Sequence, residues 1–147
     1  MKEVRQMSGL VKYMVGFRIG DDNLDPSKLT EVLRLAPDKA HRKGDPNTSV
    51  SKRGKVINYS PFNTGLWAIN SHEDEYATLE QHLRSLLSVL YPLKDNLIKL
   101  AESGYKMDMF CGVFTREAHQ PGFEISSDIL VQLGELKISL AMCIYSH

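Results

Sequence analysis

The chain has 147 residues, 42% of them hydrophobic and 24% charged, with 18 basic and 18 acidic side chains in balance. That length fits one domain, able to bury about 70% of the unfolded chain's surface without metal or disulfide staples. The zero net charge excludes a diffuse attraction for nucleic acid or acidic partners, so any such attraction must come from a local patch.

The opening "MKEVRQMSGLVKYMVGF" has no apolar run of signal-peptide length, and residues 1–10 read as a loose extension. From Val11 the pattern alternates: Val11, Tyr13, Val15, Phe17 and Ile19 point one way, Lys12 and Arg18 the other, as in a half-buried strand. Asp25 followed by Pro26 starts a helix, since the carboxylate can accept unpaired amide protons and proline suits the first helical position. Leu29, Val32, Leu33 and Ala36 form its apolar stripe, and Pro37 ends it.

Residues 37–55 read as a long basic loop with little pattern. Six cations, Lys39, Arg42, Lys43, Lys52, Arg53 and Lys55, are opposed only by Asp45. Loops of this length without structure are often functional. The segment is expected to be either a solvated connection or a contact face for an anion or a partner. "VSKRGKVINYS" and "GLWAINS" then read as two short strands around Pro61 to Gly65.

Ser71 with Asp74 gives a capping signal, with Glu73, Asp74 and Glu75 placed to favour the positive end of a helix dipole. Tyr76, Leu79, Leu83, Leu86, Leu87 and Leu90 make one face of that helix, and Pro92 breaks it. A second helix carries Leu93, Leu97, Leu100 and Ala101 and stops at Gly104. "YKMDMFCGVFT" is a strand, "ISSDILVQLGEL" a short helix and "KISLAMCIYS" the closing strand. A shift of 101 residues lays Leu24, Leu29, Val32 and Leu35 on Ile125, Leu130, Leu133 and Leu136, a weak internal echo consistent with duplication or with a shared way of starting a helix.

The order implies an α+β two-layer sandwich. A largely antiparallel sheet carries helices on one face, split-βαβ-like with an added helix and strand. Phe17, Ile19 and Gly20, then Leu24-Asp25-Pro26, Thr30, Leu33, Pro37 and Lys43-Gly44-Asp45, resemble the opening of a bacterial family, domain of unknown function 4279. Trp67, the Leu83/Leu86/Leu87 ladder, Ser126, Gly134 and Ile144-Tyr145 continue the likeness, from about Tyr13 to Tyr145. The resemblance implies a bacterial, stand-alone soluble protein and brings no catalytic residue with it.

Chemistry finds little foothold. His41, His72, His82, His119 and His147 are scattered, and no metal-ligand spacing such as C-x-x-C or H-E-x-x-H occurs. His72 and His82, ten residues apart on one helix, would lie about 15 Å apart along its axis. There is no G-x-S-x-G elbow. Before Gly54-Lys55, Ser49 stands where a phosphate loop needs its first glycine, and Val56 where it needs Ser or Thr. Cys111 and Cys143 sit in strand-like stretches and read as free thiols of a cytoplasmic protein. No cofactor is expected.

The leading expectation is a non-catalytic module that binds another protein, one version being an immunity-type toxin inhibitor. The alternative is a small-molecule binder or enzyme whose pocket is assembled from distant residues, with Arg18, Trp67, His82 and Tyr145 as candidates. Weak nucleic-acid binding through the 39–55 segment is a third, disfavoured because no aromatic side chain lies inside that segment to stack on bases. A membrane partner is not expected, since no run approaches the roughly 18 apolar residues of a span.

Overall fold

The computed structural model describes residues 11–116 and 122–146. His119 and His147 lie outside them, as do the proposed N-terminal extension and most of the "REAHQPG" loop.

The elements run β1 (Val11–Asp21), α1 (Pro26–Leu33), β2 (Lys39–His41), β3 (Asn47–Val50), β4 (Val56–Tyr59), β5 (Gly65–Asn70), α2 (Leu79–Leu90), α3 (Lys94–Glu102), β6 (Lys106–Thr115), α4 (Ser127–Glu135) and β7 (Ser139–Ser146). Five strands form one sheet in the order β2-β5-β1-β6-β7, and β3 and β4 form a separate two-stranded ribbon. The pairings β2–β5, β5–β1 and β1–β6 are antiparallel, and β6–β7 is parallel. The fold is α+β, as expected. Because β1 and β2 both run against β5, they are parallel to each other with β5 between them, which makes β1–α1–β2 a split βαβ unit.

The alternation of β1 decides the layers. Val15, Phe17 and Ile19 join Trp67, Ile69, Met107, Met109 and Cys111 in one core, and every helix adds leucines or isoleucines to it. Even-numbered positions of β1 and β6 face away from the helices, where they carry Lys12, Met14, Arg18, Asp108, Phe110 and Phe114. Burying the first set is what holds helices to one face of the sheet.

Helix ends follow local chemistry. The Asp25 side chain accepts from the Ser27 N–H at 3.1 Å, and Pro26 occupies the first turn. α1 stops at Leu33, before Pro37, because Arg34 turns left-handed with φ 55°. Its stripe is therefore narrower than the periodicity suggests: Leu29 and Leu33 are buried, while Val32 and Ala36 are exposed. α2 does not start at Ser71. It starts at Leu79, under a full capping box in which the Gln81 N–H donates to the Thr78 hydroxyl and the Thr78 N–H donates to the Gln81 side-chain oxygen Oε1. Glu73, Asp74 and Glu75 lie in the preceding turn, where the Asp74 carboxylate accepts from the Tyr76 N–H at 2.8 Å. Pro92 sits in the single 3-10 turn Tyr91–Leu93 that joins α2 to α3. Gly104, with φ 95°, follows α3 as a left-handed stop.

The 37–55 segment is not an unstructured loop. It holds β2, on the sheet's edge, and all of β3, with the turn into β4 at Ser51 to Lys55. In that turn the Ser51 N–H donates to the Lys55 carbonyl and the Gly54 N–H to the Ser51 carbonyl, with Gly54 at φ 79°. The internal echo also fails at side-chain level. α1 buries Leu29 and Leu33, α4 buries Ile129 and Leu133, and the shift of 101 pairs Leu29 with Leu130, which is 50% exposed.

Candidate functional site

The six cations do not share one patch. The Arg42 guanidinium donates to Asp25 at 2.9 Å and the Lys43 ammonium to Asp22 at 3.5 Å, so both are matched to the acidic turn after β1. Asp22 is held below the usual carboxylate range, first by a hydrogen bond from Thr64 and then by Lys43. Lys39 lies on β2. Lys52, Arg53 and Lys55 crown the β3–β4 turn, and among the described residues none of the three has an acidic partner. Below them the ribbon exposes Val50, Val56, Ile57 and Tyr59, with Val50 68% and Tyr59 54% accessible. At its base His41 stacks on Phe62, ring centres 3.5 Å apart, and the Gly44 and Phe62 amides exchange hydrogen bonds with the Phe62 and Asp45 carbonyls.

Arg18, Trp67, His82 and Tyr145 are not brought together. Trp67 stands opposite Ile19 on the helix side, fully buried, with its indole N–H donating to Thr30 Oγ at 3.0 Å and its ring edge-on to Phe17. Arg18 is on the opposite face, in a two-pronged contact with Asp108 at 2.7 and 2.8 Å, and lies over the Phe110 ring. That contact holds the guanidinium above its ordinary value. Tyr145 is stacked on Phe114, six residues along β6 from Asp108, or about 20 Å at strand rise.

His82 lines a cavity of about 510 Å³, where β5 ends and the chain turns toward α2; Arg18, Trp67 and Tyr145 are not among its lining residues. Two bonds bracket the opening. The Ser71 N–H donates to the Val15 carbonyl and the Tyr13 N–H to the Glu75 carbonyl, both at 2.8 Å, so residues 72–74 bulge away from β1. Met14, Phe114, Lys12 and Glu73 also line the space. His82 is 2% exposed; its Nδ1 lies 2.8 Å from Ser71 Oγ, while Nε2 is buried with no hydrogen-bond partner. Burial holds the imidazole below its ordinary value, against the opposing pull of nearby Glu73 and Asp74.

A serine beside a histidine invites comparison with a hydrolytic dyad, and the geometry argues against it. In such dyads a second group orients the imidazole through its other nitrogen. Here that nitrogen is unpaired, and Ser71 Oγ is already engaged by the Glu73 N–H at 3.2 Å. The serine works as a turn cap. Cys111 is equally unsuited to attack, because burial pushes its thiol up to about 12. Among the described residues no three His, Cys, Asp or Glu side chains are grouped to hold a metal ion.

Sequence reasoning missed Tyr13, Ser71, Glu73 and Phe114 as neighbours of His82. Ser71 and Glu73 resembled helix-start residues, and the strand pairing that brings Tyr13 and Phe114 to the same place is set by distant parts of the chain.

The family model for domain of unknown function 4279 matches residues 11–147. No curated protein and no solved structure matches the chain. The family likeness read from the motifs is thereby established: the chain belongs to this family.

Proposed function

Taking that membership as the premise, we propose that this protein is a non-catalytic module that recognises another protein, with the β3–β4 ribbon as its principal contact. The ribbon carries the proposal. A two-stranded hairpin is marginal by itself in water, yet this one keeps Val50, Val56, Ile57 and Tyr59 exposed beneath a tip of Lys52, Arg53 and Lys55. Exposed apolar side chains rimmed by cations suit a partner with an apolar groove and an acidic border. An inhibitor that holds a toxin in the cytosol is one version of this reading. Free Cys111 and Cys143 suit a reducing compartment, and among the described residues no helix is long and apolar enough to cross a membrane.

The test is retrieval of partners by tagged protein from the source organism, run beside the variants K52E/R53E and V56S/Y59S. A stoichiometric partner that follows the wild type and is lost from both variants supports the proposal. Recovery of no such partner, or equal recovery by all three proteins, overturns it. Binding of RNA or DNA that collapses between low and physiological salt would instead transfer the tip to nucleic acid.

A further inference from the structure

The two ends of the five-stranded sheet are built differently. At one end β2 is three residues long and opens with Lys39, two features that discourage a further strand from pairing there. At the other end β7 runs for eight residues, SLAMCIYS, with no charge and no proline. Its register with β6 is unbroken from Asp108–Ser139 to Thr115–Ser146, so no bulge turns it away. Every second residue of such a strand points its N–H and C=O outward, and among the described residues β7 pairs only with β6.

Side chains along this edge are apolar as well. Met142 and Ile144 stand beside Cys111 and Val113 on the helix face, yet at the end of the sheet they are 38% and 59% exposed. α4 packs over β7, while α2 packs over β1. Asp128 and Glu135 reach Arg84 and Tyr91 on the α2 side, and Ile129 and Leu133 turn into the core. At about 100° per residue, Leu130 falls on the remaining flank of α4, above the open edge, and it is 50% exposed.

We propose that a second copy of this chain covers this edge. β7 pairs antiparallel with its counterpart about a two-fold axis perpendicular to the sheet, so that two sheets continue as one. Such an axis keeps the helices of both copies on one face. Centred on Cys143, it sets Met142 opposite the partner's Ile144, apolar against apolar, with no like charges to repel. A lone strand would satisfy the outward amides but leave Leu130 bare; a second copy brings its own α4 to that flank. The strip is about 26 Å long and, with a helix above the strand, roughly 20 Å tall. That is about 500 Å² on each copy, and the total reaches the roughly 1,000 Å² a specific interface needs. The ribbon follows β2, at the far end of the sheet, so the dimer leaves both ribbons uncovered.

The experiment is sedimentation equilibrium of the full chain across a dilution series, paired with amide hydrogen exchange at the same concentrations. Expected is a dimer that dissociates on dilution, with exchange across residues 139–146 slowing as concentration rises and β2 unchanged. Ile144→Lys, at an already exposed position, should weaken association at least about tenfold while leaving the far-ultraviolet circular dichroism as it is. The wild-type exchange series needs no variant, so it decides the matter even where the lysine disturbs folding. A wild type that stays monomeric at about 100 µM overturns the proposal, and a partner protein that this monomer loses with Ile144→Lys would assign the edge to a foreign strand. A dimer indifferent to Ile144→Lys, or one protected at the ribbon rather than at β7, overturns it equally.

Discussion

The Glu80 carboxylate, in the first turn of α2, accepts hydrogen bonds from both the backbone N–H and the hydroxyl of Ser126, the residue that precedes α4. Ser126 has capping geometry but makes no side-chain cap within its own helix, because its hydroxyl donates instead to a carboxylate of another helix. Arg84, one turn on from Glu80, reaches Asp128 at 2.8 Å and completes the tie between the two helices.

Those hydrogen bonds hold Glu80 below the usual carboxylate range, Ser126 being the main cause. Its contribution to stability is therefore present above the unfolded-state value and is lost as pH falls through the lower folded value. Glu80→Gln should lower the melting temperature at pH 7 and flatten its decline below pH 5. Melting curves of both proteins from pH 7 to 3 check this, and parallel curves would refute it.

Gly65 opens β5 where a side chain has no room. A Cβ there would stand 2.6 Å from the Asp21 carbonyl oxygen and 2.8 Å from Leu24 Cβ, the first of which is backbone and cannot swing aside. Gly65→Ala should cost about 1–3 kcal/mol in urea unfolding, the usual range for overpacking. Gly122→Ala, with open space around it, serves as the control.

Burial holds the His82 imidazole below its ordinary value, and His41 is shifted the same way, also mainly by burial. When a folded-state histidine value lies below the unfolded one, the unfolded chain takes up protons first. Stability is then full above about pH 6.5 and declines as pH falls below it. The urea midpoint should drop between pH 7.5 and 5.5, and drop less in His82→Gln than in wild type. A pH-independent midpoint would contradict the assignment.

The two thiols should behave differently. Cys111 faces the core with its thiol pushed up to about 12, while Cys143 stands beside Gly112 on the open face and is partly accessible. Facing opposite sides of the sheet, they are not placed to bridge. A disulfide-exchange reagent should titrate one thiol in the native protein and two in urea. Two fast thiols in the native state would refute this.

Much of the fold was legible because strands and helices with one buried face write their period into the chain. Val15, Phe17 and Ile19 gave β1, and Leu83, Leu86, Leu87 and Leu90 gave α2, all of them buried. The ribbon was legible only in part: the stretch from Val50 to Ser60, read as one strand, contains β4 but hides β3 and the turn at Ser51 to Lys55, because with every residue of β4 exposed no core selects an alternation that would mark its limits. The start of α2 was misplaced because Ser71 and Thr78 both look like caps, although Gln81 three residues after Thr78 completes the capping-box pattern that Asp74, too short for it, does not complete for Ser71. The cavity depended on tertiary placement. His82 and Ser71 are eleven residues apart, and nothing local says that one helix turn will face one strand end.

The position of β1 at the centre of the sheet has a consequence for how the chain acquires its shape during synthesis. Gly20 pairs with Lys106 and Val11 with Thr115, so β1 must wait until four further strands and three helices have been made before this partner follows. Its other neighbour, β5, arrives sooner, since Asp21 pairs with Gly65 and Gly16 with Asn70. The five-stranded layer can thus begin only when β5 emerges to pair with β1 and β2, after the β3–β4 ribbon, and its completion is delayed until β6 and β7 follow. Such long-range closures make maturation slow and leave one edge of β1 open to stray pairing in the interval.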